Sequence, residues 1–165
     1  MIPSGELKKY LHSLTKEQLE DQIEDLYGRF KEVKKFYDFA FNPKEDKLLE
    51  ECKFKISKEY FPLNGRRPKA RRSVAQKYIR QFIQLGVDPY VIADVMLYNL
   101  EIVQTFSGER DIKQEAFYVS VLKSFREATT YIKENNLGQE YTIRLEKIAE
   151  EAWNQDWMNK GAFIL

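Results

Sequence analysis

Seven cations and no acid fall between Asn64 and Arg80, in the run Asn-Gly-Arg-Arg-Pro-Lys-Ala-Arg-Arg-Ser-Val-Ala-Gln-Lys-Tyr-Ile-Arg. The chemistry open to such a run is anion binding, and position sharpens that reading. Arg71 and Arg72 flank the predicted start of a helix opened by Ser73, where positive side chains are disfavoured by the helix dipole unless an anion shares the site. Arg66, Arg67 and Lys69 on the preceding loop, with Lys77 and Arg80 further along the helix, would extend such a site into a track for a phosphate backbone. Two other readings compete with this one. In one the run neutralises the acidic stretch Glu17 to Asp25, within one chain or across a dimer; in the other it is a solvated loop with no partner.

Other chemistry finds less support. His12 and Cys52 are the chain's one histidine and one cysteine, and they lie on different predicted helices with no neighbouring residue to orient a dyad, so Cys52 reads as a buried structural thiol. Metal ligation lacks a cluster of histidines or cysteines, and neither a phosphate-binding glycine loop nor a nucleophile elbow occurs. No catalytic residue, metal or cofactor is expected. Asp94, Glu101 and Glu115 would converge as paired carboxylates only in an apolar setting, and their plainer role is a narrow solvated stripe. The aromatic residues suit base stacking in principle, but they recur at helical spacing on apolar faces, the pattern of a core. Trp153, Trp157 and the terminal Phe163-Ile164-Leu165 either dock a partner or fasten the terminus to the protein's own core.

Composition bounds these readings. With 165 residues, 43% hydrophobic, 14% aromatic and 32% charged, the chain can bury a sizeable core without disulfides or metals. A net charge of +1 creates no global field toward nucleic acid or membranes, so any electrostatic function is local. The start, Met-Ile-Pro-Ser-Gly-Glu, has no apolar signal core, and Val91 to Val103 is interrupted by Asp94, Asn99 and Glu101. A cytoplasmic protein without a membrane partner is expected.

The elements that would position these residues are all helical. The order predicted is N-terminal helices over 5–61, a basic junction at 62–72, C-terminal helices over 73–158 and an apolar tail at 159–165, within a single domain. About seven helices are expected, in a multi-helix bundle or a short α-solenoid-like array. Thr15 and Gln18 form a capping box that starts the second helix, which runs to about Phe41. Gly28 within it marks either close helix approach or a kink. Asn42-Pro43-Lys44-Glu45 starts the third, with Asn42 as cap, and Ser73 with Gln76 starts the fourth. In that fourth helix Val74, Tyr78, Ile79, Phe82, Ile83 and Leu85 should face the core, with Arg72, Gln76 and Arg80 opposite, and Gly86 ends it. Asp88-Pro89 caps the fifth, whose nearly unbroken apolar surface makes it the central helix, and Asp111 starts the sixth.

Leu19, Ile23, Leu26, Phe30, Val33 and Tyr37 alternate four and three apart along the second helix, which places them on one seam suited to a long helical partner. Acids come first on this helix and bases last, in the order the macrodipole favours. The expected function is therefore a non-enzymatic protein-protein interaction or self-association module, with binding of nucleic acid or another phosphate ligand through 66–80 as the alternative.

Three segments, GELKKYLHSLTKEQLEDQIEDLY, FNPKEDKLLEECKFKISKEYFP and RRSVAQKYIRQFIQLGVDP, resemble an uncharacterised bacterial family described only as a domain of unknown function. The resemblance covers most of the chain and implies an all-helical fold without assigning an activity or a site residue. The first two helices also resemble the helix-loop-helix of SAP-type DNA-binding modules, although the connection His12-Ser13-Leu14-Thr15 lacks that family's glycine-containing loop.

Overall fold

Helical periodicity with no competing alternation yields helices throughout: the computed structural model describes residues 4–165 and contains, among them, eight α-helices, a terminal 3-10 turn and no strand. In order these are α1 (Ser4–Ser13), α2 (Lys16–Arg29), α3 (Lys31–Phe41), α4 (Glu45–Tyr60), α5 (Arg72–Leu85), α6 (Pro89–Gly108), α7 (Glu115–Glu134), α8 (Gly138–Asn154) and the turn Lys160–Ala162. Contacts divide the chain into two units, one ending at Pro43 and the other running Lys44–Leu165.

The eighth helix arises in the first unit, where the single helix expected from Thr15 to Phe41 is two. The capping box at Thr15 and Gln18 forms as expected. The chain then leaves the helix at Phe30, which adopts extended φ −113° and ψ 118° and is at once the last residue of α2's frame and the first of α3's. The Tyr27 hydroxyl donates to Asp38 Oδ1 at 2.6 Å. Along one continuous helix these residues would lie roughly 16 Å apart, so the bond requires the bend. A methyl placed on Gly28 would meet nothing within 4 Å, so that glycine is not there for close helix approach; it weakens the helix by about 1 kcal/mol next to the break. No residue of α1, α2 or α3 is buried.

The second unit is built around α6, which packs against α4, α5, α7 and α8, as its apolar surface predicts. Ile92, Val95, Leu97 and Leu100 on this helix are at most 2% exposed. Asp88 caps it by accepting from Tyr90 N–H at 2.8 Å, with Pro89 at its first position. Three expected starts are corrected. Asn42 closes α3 instead of opening α4, which begins at Glu45 with Lys44 at the N-cap, a side chain without an acceptor, while Glu45 Oε1 accepts from the Asp88 N–H at 3.1 Å. The Ser73 capping box does not form, since α5 begins at Arg72 and the Gln76 amide reaches Glu127 of α7 at 3.1 Å. Helix α7 begins at Glu115, not Asp111. On α5, Ile83 is half exposed, and Ala75, Ile79 and Phe82 make the buried face.

Helices α5, α7 and α8 end by one device. Gly86, Asn136 and Asp156 take left-handed φ of 71°, 57° and 52°. The next residue then donates its N–H back five positions: Val87 to Phe82 O, Leu137 to Ile132 O and Trp157 to Ala152 O. This is the Schellman arrangement, whose final residue packs on the helix it closes. Val87, Leu137 and Trp157 are accordingly 2–3% exposed. Trp157 continues inward onto Tyr118 and Phe163, with ring centroids 5.6 and 5.5 Å away, so Trp157 and Phe163 fasten the terminus to the unit's core while Trp153, Ile164 and Leu165 stay exposed.

Candidate functional site

The basic run does not act as one strip, because the chain reverses within it. Helix α4 ends at Tyr60, and Pro62 prevents its continuation. Asn64 and Gly65, at φ 60° and 66°, turn the loop, and Ala70 at φ 48° turns it again into α5. Glu59 holds both ends of this excursion. Its backbone carbonyl accepts the N–H groups of Lys69 and Ala70 at 3.1 and 3.0 Å, and its carboxylate accepts Arg71 Nε and Nη2 at 2.9 and 2.8 Å. The hydrogen bond from Arg71 holds the Glu59 carboxyl below the usual carboxylate range.

Arg71 and Arg72 therefore do not flank an open helix terminus awaiting an anion. Arg72 Nε donates to the Ser124 hydroxyl at 2.7 Å and its Nη2 reaches Glu127 at 2.5 Å, so this guanidinium joins α5 to α7. Both arginines are neutralised internally, but by Glu59 and Glu127. Among the acids Glu17 to Asp25 of the first unit, Glu20 pairs with Lys16 and Asp25 with Arg29. Ser73 is exposed and makes no cap. Arg80 is exposed, its Nε donating to the Gln76 carbonyl at 3.3 Å.

The remaining cations gather in a groove of about 550 Å³ between the end of α4, the loop and the first turns of α5. Lys55 and Lys58 come from α4, Arg66, Arg67 and Lys69 from the loop, and Lys77 from α5. None of the six is in an ion pair among the described residues. The one acid on the groove wall is Glu59, which Arg71 already neutralises. Tyr78 supplies a half-buried aromatic wall. Lys55 and Lys58 were not singled out by the sequence reading. Their signal is a spacing of three on the helix before the turn pair, which brings them alongside the loop that follows it.

The carboxylates of α6 are a different kind of cluster. Asp94 and Glu101 are not a solvated stripe: Arg144 of α8 donates Nη1 to Asp94 at 2.7 Å and Nε and Nη2 to Glu101 at 2.8 and 2.9 Å. Lys53 of α4 reaches the other Asp94 oxygen at 2.5 Å and lies 5.2 Å from the centre of the Tyr98 ring. Burial alone would raise the Asp94 pKa, but the bonds from Lys53 and Arg144 outweigh it and the net shift is downward. A carboxylate so held has no proton to give near neutrality, and the cluster ties α4, α6 and α8 together. Glu115 is exposed at the start of α7 and takes no part. Cys52 is fully buried, and burial pushes its thiol up to about 12, which keeps it a neutral packing group; His12 is exposed on α1.

The apolar seam is redistributed by the bend. Leu19, Ile23 and Leu26 lie on α2, Phe30 is the corner, and Val33 and Tyr37 lie on α3, so the six do not form one straight stripe. Ile23, Leu26 and Phe30 are 42–50% exposed and the other three are half-buried. No helix among the described residues is long and apolar enough to cross a membrane. No curated protein and no solved structure is similar enough to match the chain. Residues 3–164 match a family of unknown function, so nearly the whole chain belongs to the family DUF6155.

Proposed function

We propose that the protein works by binding, with no chemistry of its own, and that its first unit is a self-association module. The observation that carries this reading is three successive helices without one buried residue, although each has an apolar face. Leu7, Tyr10, Ile23, Leu26, Phe36 and Phe41 are 42–82% exposed. An amphipathic helix is stabilised mainly by burying that face, so a unit left open in this way calls for a partner surface.

Charge favours a second copy as that partner. Helix α2 carries Glu17, Glu20, Asp21, Glu24 and Asp25 against Lys16 and Arg29, an excess of acid, whereas α3 carries Lys31, Lys34 and Lys35 against Glu32 and Asp38, an excess of base. In a two-fold arrangement α2 of one chain meets α3 of the other, and each contact pairs opposite charge around apolar side chains. One sequence thereby supplies both halves of a complementary surface.

Light scattering tests the proposal. The expected result is a species of twice the 19.7 kDa chain mass, converted to the monomer by Leu26→Glu with helical circular dichroism retained. A wild type that stays monomeric at every concentration sinks the reading. Exchanging the signs on α3 through Lys34→Glu and Lys35→Glu should also weaken the dimer, and adding Glu20→Lys and Glu24→Lys should restore it.

A further inference from the structure

We infer that the groove between α4, the 62–70 loop and α5 binds the phosphodiester backbone of single-stranded nucleic acid, a function separate from self-association of the first unit. Six cations line it from three elements, all without an ion-pair partner among the described residues, and the single acid on its wall is held by Arg71. Like charges gathered on one surface repel one another, and binding an anion relieves that repulsion.

The form of the groove selects among anions. Five of the six cations, Lys55, Arg66, Arg67, Lys69 and Lys77, are exposed, and none is fixed by a hydrogen bond from its side chain to another described residue. A small phosphate ion requires several donors pre-set around one point. A set of exposed, unpaired cations suits a polyanion whose charges are spaced along a chain and whose bound counterions it displaces. Tyr78, half-buried on the wall and packed against Phe82, is the aromatic group there that an unstacked base would meet, a contact available from single strands and not from a closed duplex. Arg80, exposed three residues beyond Lys77 on α5, continues the line of charge.

The test uses the full chain and fluorescein-labelled oligo(U), titrated by fluorescence anisotropy at several salt concentrations. With all six cations engaged, log K should fall against log salt with a slope of about −4, roughly a 300-fold loss for a fourfold rise in salt. Replacing Arg66, Arg67 and Lys69 by Ala removes three of the charges and leaves the backbone bonds to Glu59 in place. That variant should reduce the slope to about −2 and weaken binding at fixed salt by on the order of tenfold or more. Exposed Lys133, outside the groove, serves as control, and Lys133→Ala should bind as the wild type does.

The inference is overturned by undetectable binding, by a triple variant with unchanged slope, or by equal losses in the triple variant and Lys133→Ala. It is also overturned if inorganic pyrophosphate or poly-glutamate displaces oligo(U) as effectively as the unlabelled strand does, since the groove would then take a small anion or an acidic chain. Leu26→Glu, made to disrupt self-association, should retain the slope of about −4, which keeps the two proposals separable.

Discussion

Trp157→Ala is expected to destabilise the protein by about 3–5 kcal/mol, read as a lower midpoint in urea unfolding at unchanged slope. The ring is 2% exposed and is the largest fully buried side chain. It packs edge-on against Tyr118 and Phe163, and its Nε1 donates to Gln155 Oε1 at 3.0 Å. Gln155 also accepts from the Ser107 hydroxyl at 2.6 Å and donates to the Gln104 carbonyl at 2.9 Å, so the loss reaches the joint between α6 and α8. Trp153→Ala supplies the contrast. That ring is 56% exposed and touches the Lys160 ammonium at 4.9 Å, an interaction worth about 0.5–1 kcal/mol at an exposed site. Similar losses from the two variants would contradict this placement of the terminus.

The second large effect is expected at Arg144. Replacing it by Met keeps much of the side chain's apolar bulk but leaves Glu101 without its two bonds and Asp94 dependent on Lys53 alone. A loss of about 2–3 kcal/mol at neutral pH is expected, because charged hydrogen-bond partners are left half-buried. The pH dependence identifies the cause. The carboxyls of Asp94 and Glu59 are held below their usual values, so both are stabilising above the unfolded-state pKa of about 4. Their contribution is lost as the pH falls through the lower folded-state values. Wild-type stability should therefore drop on acidification below about pH 4, and Arg144→Met should flatten that drop because part of it is already gone. An Arg144→Met variant with wild-type stability at neutral pH would show that the cluster does not hold α4, α6 and α8 together.

The two tryptophans show what the sequence could convey. Trp153 and Trp157 stand four apart, a spacing that puts both on one helical face. Helix α8 ends between them, and the left-handed Asp156 turns only the second inward. Aspartate gives a weaker stop signal than glycine, whereas Gly86, where the signal is strong, ends its helix as read. The same distinction explains Phe30: the seam continues four-three through it, and side-chain periodicity cannot report a change of backbone direction at one residue. Helix α6 was legible because most of its surface is apolar and its cap residues are unambiguous. The partners of Asp94, Glu101, Arg71 and Arg72 were not, since Arg144, Lys53, Glu59 and Glu127 lie on other helices, and sequence spacing within one helix says nothing about charges brought to it by another.

Glu59 gives the basic loop a property that bears on how far its tip can change. Its carbonyl and carboxylate fasten residues 69–71 from inside, so the closure does not depend on what lies at the tip. Lengthening a closed loop costs little, because the entropy of closure grows only with the logarithm of its length. Residues 63–67 can then change in number and in charge while α4 and α5 keep their places. Under such an arrangement, the charge lining the groove can change without touching the stability of the unit that carries it.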